Sequence, residues 1–220
     1  MKKPKVIELL INEDIEEAGV ELISFVKNPA IKVDFMYFSE ETEKEVKDFS
    51  FKVIDNEKRI VTGPALIPNQ YIKRIDDITG EEFFVFFSEE TVRKTSQLFF
   101  KRDKQHNANL EHSTEVNGVT VVESWLIEDE SIDKAVALGY VGLPVGTWMV
   151  TYKLENDDVI EMIKNGEVMG FSIEGGFLTE LVESALSEQP NDEFDEIVEI
   201  LKSDKTEEEI FDILEKKLNK

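Results

Sequence analysis

What most constrains this chain is the shortness of its apolar runs and the glycines and prolines that separate them. Phe49, Phe51 and Val53 alternate with polar neighbours, and Ile60-Val61 lead into the turn signal Gly63-Pro64. Glu82–Phe87 is a short apolar run, Val119–Ile127 is strongly β-prone, and Trp148–Leu154 follows a loop holding Gly139, Gly142 and Pro144. Glu167–Ile173 then meets Gly175-Gly176, which are expected to break it. Runs of this length, alternating or rich in Val, Ile, Phe and Trp, fit strands. Val20, Leu22 and Ile23–Val26, ahead of Asn28-Pro29, predict a further short strand or turn. Helices are signalled where Ser88 precedes Glu89-Glu90 and Val92, and where Asn156 precedes Asp157-Asp158 with Gly166 at the far end. Both place a capping side chain before acidic residues that suit the first turn. The pattern is α+β, a strand-rich core with a few helices, or a barrel with helical decoration.

The 220 residues suffice for one domain with length left over. Residues 1–183 are read as that domain, and residues 39–48 as an acidic linker or short exposed helix. From 184 to 220 the composition turns strongly acidic. Apolar pairs such as Ile197-Val198 and Ile213-Leu214 predict two short amphipathic helices there. The formal charge of −23 argues against a nucleic-acid binder, which needs clustered Lys and Arg, and against an anionic membrane surface. It fits a partner with a basic face or a need for solubility. The apolar run at Val6–Ile11 is short and broken by Glu8, so no signal peptide is expected, and no stretch reaches membrane-spanning length. A soluble, intracellular protein is the expectation. With no Cys, disulfides, thiolate metal sites and a Cys nucleophile are excluded. With two His, a three-His zinc site is excluded as well, and His-Glu-x-x-His, Walker and Rossmann motifs are absent.

Two residues stand out as carriers of chemistry. In Gly170-Phe-Ser-Ile-Glu-Gly-Gly176, strand alternation puts Met169, Phe171 and Ile173 on one face and Gly170, Ser172 and Glu174 on the other. Ser172 would then stand beside a residue without a side chain, with space for a substrate carbonyl and glycine N–H groups near an oxyanion. Glu174 stands where the nucleophile elbow would have its second Gly, so that motif is not present. A surface Ser between turn glycines is the plainer alternative. A Ser nucleophile needs a base. His106 lies in the polar loop Lys104-Gln-His-Asn107, whereas His112 closes Asn109-Leu-Glu-His112 and leads towards a strand, so His112 is the preferred base. A hydrogen-bonded structural role is its alternative. For a third member Glu123 is chosen, as a charge inside the apolar run Val122-Glu-Ser-Trp125, expected to share a face with Val121 and Trp125. Glu174 and Glu180 compete with it.

Taken in order, several segments form a more specific set: Gly19-Val-Glu-Leu-Ile-Ser-Phe-Val-Lys-Asn-Pro-Ala-Ile31, Val61-Thr-Gly-Pro-Ala-Leu-Ile-Pro68, Asn109-Leu-Glu-His112, Glu123-Ser-Trp125, Leu143-Pro-Val-Gly-Thr-Trp148 and Gly166-Glu-Val-Met-Gly-Phe-Ser-Ile-Glu-Gly175. Over about residues 19–178 the chain thereby resembles the XkdF-like serine proteases of tailed phages and prophages. That group is similar to the wider prohead proteases and more remotely to herpesvirus assemblins. The resemblance implies a small β-barrel flanked by helices, with His112 and Ser172 on the family's His and Ser segments and no metal or organic cofactor. It implies cleavage of scaffold and major capsid proteins inside the procapsid in the host cytoplasm, with self-cleavage. No nucleic-acid or membrane partner is implied, and association between copies of the chain is left open. A catalytically inactive capsid-interior or scaffolding protein of the same fold is the second reading, and an unrelated soluble binding domain the third. Prohead proteases often cut after Glu with an aliphatic residue two positions earlier. Leu181-Val-Glu183, Leu186-Ser-Glu188, Ile197-Val-Glu199 and Ile213-Leu-Glu215 fit that pattern as sites of self-trimming.

Overall fold

The computed structural model describes residues 5–15, 18–29, 52–55, 57–76 and 78–182. The linker expected at 39–48 and the acidic tail at 184–220 lie outside the described residues. Twelve strands and three helices follow in chain order among the described residues: β1 (Lys5–Leu10), β2 (Gly19–Val26), β3 (Lys52–Asp55), β4 (Ile60–Leu66), β5 (Ile72–Ile75), β6 (Glu82–Phe86), α1 (Glu89–Lys101), β7 (Ala108–Leu110), β8 (Thr114–Glu115), β9 (Val119–Leu126), α2 (Lys134–Ala137), β10 (Trp148–Leu154), α3 (Asp157–Lys164), β11 (Gly170–Gly176) and β12 (Leu178–Val182). The α+β reading holds.

The helix boundaries obey their caps. Ser88 accepts the N–H of Thr91 at the start of α1, and Asn156 accepts those of Asp158 and Val159 at the start of α3. At the end of α3, Gly166 takes φ +70°. The N–H groups of Gly166 and Glu167 reach back to the carbonyls of Ile163 and Met162, closing the helix with a left-handed glycine.

The strands form three four-stranded sheets, ordered β12-β1-β6-β5, β3-β4-β10-β9 and β11-β2-β7-β8. The expected barrel is therefore not closed among the described residues. Closure needs one hydrogen-bonded ladder that returns to its first strand. Here the strands fall into three separate ladders, two of which contain a parallel pair, β1–β6 and β2–β7, of strands far apart in sequence. Two turn signals also behave differently from expectation. β4 runs straight through Gly63-Pro64: β3 pairs with it only as far as Thr62, and Pro64 stands opposite Met149 of β10. The register with β10 shifts between Trp148 and Met149, the residue opposite Pro64. β11 begins at Gly170 rather than Glu167 and continues through Gly175-Gly176, accommodated by a bulge after Glu174.

The main core gathers residues from all three sheets and from α1. Ile23, Phe25, Val61, Val92, Phe99, Trp148, Val150, Tyr152 and Phe171 are all essentially inaccessible. Phe25, Tyr152 and Phe171 meet with ring centroids 5.0–5.3 Å apart. This aromatic trio lies beneath β2 and β11 and fixes which of their faces is left for chemistry. A second cluster of Ile67, Ile127, Ala135, Tyr140, Leu143 and Met149 packs around α2. No helix among the described residues is long and apolar enough to cross a membrane.

Candidate active site

The period of two decides what β11 presents. Phe171 is buried against Phe25 and Tyr152, and Ile173 packs on the same core. Gly170, Ser172 and Glu174 therefore line the other face, as the alternation predicts. Antiparallel pairing sets Ser172 opposite Ser24 on β2, and parallel pairing sets Ser24 beside Asn109 on β7. Asn109, Ser24 and Ser172 thus form a row across three adjacent strands, with Glu174 one step along β11. Directly opposed residues in such a ladder stand about 4.5–5.5 Å apart at Cα.

His112 reaches this row from the turn between β7 and β8. The Ser113 N–H donates to the Leu110 carbonyl at 3.0 Å, and the central residues Glu111 and His112 have φ of 49° and 57°. Two successive positive φ values define the primed hairpin turn that Asn-Gly usually occupies. Residues with Cβ atoms are strained there, and such strain concentrates at functional sites. The Glu111 carboxylate steadies the turn by accepting the Lys27 N–H at 2.6 Å.

The turn brings the His112 Nδ1 to 2.8 Å from Glu174 Oε1 and 3.1 Å from Ser24 Oγ. The same carboxylate oxygen accepts from Asn109 Nδ2 at 2.7 Å and from the Ser24 hydroxyl at 2.5 Å. Partial burial pushes the Glu174 carboxyl up. The hydrogen bonds from Ser24, Asn109 and His112, with the nearby imidazole charge, outweigh that and hold it below the usual carboxylate range. An ionised carboxylate can only accept, so Nδ1 must carry the proton in its bond to Glu174. In the neutral ring this leaves Nε2 as the basic nitrogen.

Ser24 and Ser172 are not equivalent. Ser24 is 0 % exposed, whereas Ser172 is partly accessible. A nucleophile must meet a substrate carbonyl, so accessibility favours Ser172 although Ser24 is the serine bonded to the ring. His112 and Ser172 share no hydrogen bond; a nucleophile and its base can stand apart without substrate and close with it. The space expected over Gly170 is taken by Pro29: a Cβ on Gly170 would sit 2.6 Å from its ring. Gly170 thus lets the Asn28-Pro29 segment close on β11 rather than leaving an opening beside Ser172.

Glu123 is not brought to His112. Its carboxylate pairs with Lys134 and accepts the Thr151 hydroxyl at 3.1 Å, on a different sheet. The β9–β10 register shifts between Thr151, opposite Glu123, and Tyr152, opposite Val121, so Val122 is an inserted residue. The bulge breaks the alternation, leaving Val121 buried and Glu123 exposed. The carboxylate at His112 is Glu174, named in the sequence only as a competitor. The side chain of the other competitor, Glu180, is outside the described residues. His106 lies exposed with Nδ1 3.1 Å from Thr120 Oγ1, the solvated loop position expected of it. Two members of the cluster were not singled out in the sequence. Asn109 opens the Asn-x-x-His string, and Ser24 is a hydroxyl inside the apolar run Leu22–Val26. Like Glu123, Ser24 is a polar group in an apolar run, which is a signal the sequence carries.

Among the described residues no group of His, Asp and Glu is arranged to hold a metal ion. No curated protein and no solved structure matches the chain. The family model described as "Putative phage serine protease XkdF" matches residues 50–181, a span that holds Asn109, His112, Ser172 and Glu174. With more than half of its 220 residues matched, the chain belongs to this family of phage serine proteases.

Proposed function

We propose that the protein is a serine endopeptidase in which Ser172 is the nucleophile, His112 the general base and Glu174 the orienting carboxylate. The observation that carries this reading is the bond of 2.8 Å between His112 Nδ1 and Glu174 Oε1. With Nδ1 protonated in that bond, Nε2 is the nitrogen left to serve as base for Ser172, which shares its face of β11 with Glu174. In the reaction Nε2 takes the hydroxyl proton as Oγ attacks the scissile carbonyl. Glu174 stabilises the imidazolium that forms, and the ring returns the proton to the leaving amine. Water then repeats the sequence on the acyl-enzyme. In this reading Glu174 takes the place for which the sequence favoured Glu123, whose charge is already met by Lys134.

The substrates in this reading are the scaffold and major capsid proteins of a phage head, cleaved in the procapsid within the host cytoplasm, with trimming of the chain's own acidic tail. Family membership supports the protease class, and the aliphatic-x-Glu triplets from Leu181 to Glu215 support the self-trimming. The test is direct. A fluorophosphonate should attach to Ser172, as located by peptide mass spectrometry, and co-expression with the capsid and scaffold proteins of the same phage should yield truncated products. Ser172→Ala and His112→Ala should abolish both. Undiminished processing by Ser172→Ala would end this reading, and absence of any processing by the wild type would favour the inactive scaffold-like alternative.

A further inference from the structure

The catalytic assignment leaves two buried polar side chains unexplained. Ser24 is 0 % exposed and Asn109 is 7 % exposed. Both point a donor at the same oxygen, Glu174 Oε1. They come from neighbouring strands at paired register positions, so the backbone ladder fixes their spacing. Burying a hydroxyl and an amide is unfavourable unless each is hydrogen-bonded. An apolar pair would fill the gap between β2 and β7 without that demand.

We propose that Ser24 and Asn109 are positioning residues that clamp the Glu174 carboxylate, so that His112 is held as the Nδ1–H tautomer with Nε2 poised as base. The role rests on the catalytic reading above but makes a separate claim about how the base is prepared. The chemistry is additive at one atom. With the Ser24 and Asn109 donors in place, the carboxylate stays ionised and cannot rotate away from the ring. Remove either, and Glu174 is freer to take a proton or swing to solvent, and the imidazole loses the partner that decides its tautomer. Among the described residues, His112 is the ionisable side chain that bears on Glu174. Ser24 lies outside the matched span 50–181, so the clamp extends the site into the N-terminal β2 strand.

Two readouts test the clamp on the full-length protein. His106→Gln leaves one histidine, so long-range proton–nitrogen spectra of histidine-labelled protein report the His112 tautomer alone. Nδ1–H is expected in this background, with Ser24→Ala and Asn109→Ala each giving a mixture of tautomers. The second readout is the rate at which a fluorophosphonate labels Ser172 as pH is varied. Each variant should label roughly tenfold more slowly, as for loss of one hydrogen bond to a charged group. The acid limb, which reports protonation of the base, should move to higher pH, because a carboxylate that has lost a donor keeps more negative charge facing the imidazolium. Asn109→Asp sets a second carboxylate against Glu174 and should move that limb further. It also serves as the second variant if Asn109→Ala fails to give the wild-type circular dichroism. An unchanged tautomer together with an unchanged acid limb in folded Ser24→Ala and Asn109→Asp would overturn the clamp. Failure of the wild type to label would instead count against Ser172 as nucleophile, and the tautomer spectra would still decide the clamp.

Discussion

At His112 the chain accepts a left-handed backbone in order to place a ring. Glycine would hold the turn with less strain, yet would offer no side chain to bond Glu174. In that bond Glu174 meets Nδ1 with a charged, acceptor-only oxygen. Glu174→Gln removes the acceptor-only oxygen and offers an amide that can donate to Nδ1, favouring the wrong tautomer. Processing or Ser172 labelling should fall about 10²- to 10⁴-fold in this variant while the fold persists. The same carboxylate links stability to pH. Its folded pKa is lowered, so its contribution is present above the unfolded value and is lost as pH falls through the folded one. Urea midpoints of wild type and Glu174→Gln should therefore differ most near neutrality and converge on acidification. A gap that widens in acid would contradict the pairing.

At the scale of elements, the site depends on how closely β11 approaches β2. A Cβ on Gly175 would lie 1.8 Å from the Gly19 carbonyl oxygen, a backbone atom that cannot step aside without moving the strand. Gly175→Ala should therefore disturb the bulge that follows Glu174, costing about 2 kcal/mol or more and lowering Ser172 labelling with it. Gly166→Ala provides the contrast. Its surroundings are open but its φ is +70°, so the cost is the left-handed conformation itself, about 1 kcal/mol, with labelling unchanged. Denaturant unfolding alongside labelling separates the two, since one glycine serves the site and the other only ends α3. The Gly63-Pro64 and Gly175-Gly176 pairs carry a related lesson. Read locally they are breakers, but a neighbouring strand that tolerates a missing N–H or a bulge lets the strand continue through them.

For the whole molecule, the net charge of −23 and the aliphatic-x-Glu triplets bear on processing. On incubation, the wild-type chain should yield fragments ending at Glu183, Glu188, Glu199 or Glu215, and Ser172→Ala should remain intact by mass spectrometry. Intact wild-type protein in finished heads would refute self-trimming. Much of the architecture was legible in the residues. Helix caps at Ser88 and Asn156, strands at Glu82–Phe86 and Trp148–Leu154, and the outward face of Ser172 all follow from local chemistry: a side-chain oxygen meets a free N–H, or side chains alternate along a strand. The preference for His112 followed from having two histidines, one in a polar loop. What local chemistry does not contain is register. Which carboxylate meets His112, which serine is buried, and whether the strands close into one barrel depend on pairings between residues as far apart as Ser24 and Ser172. A bulge at Val122 was enough to turn Glu123 away from the face its position predicted. The sequence by itself determined the strand-rich class and offered His112 and Ser172 as candidates; the tertiary pairing alone decided that Ser24 and Asn109 meet His112 at Glu174.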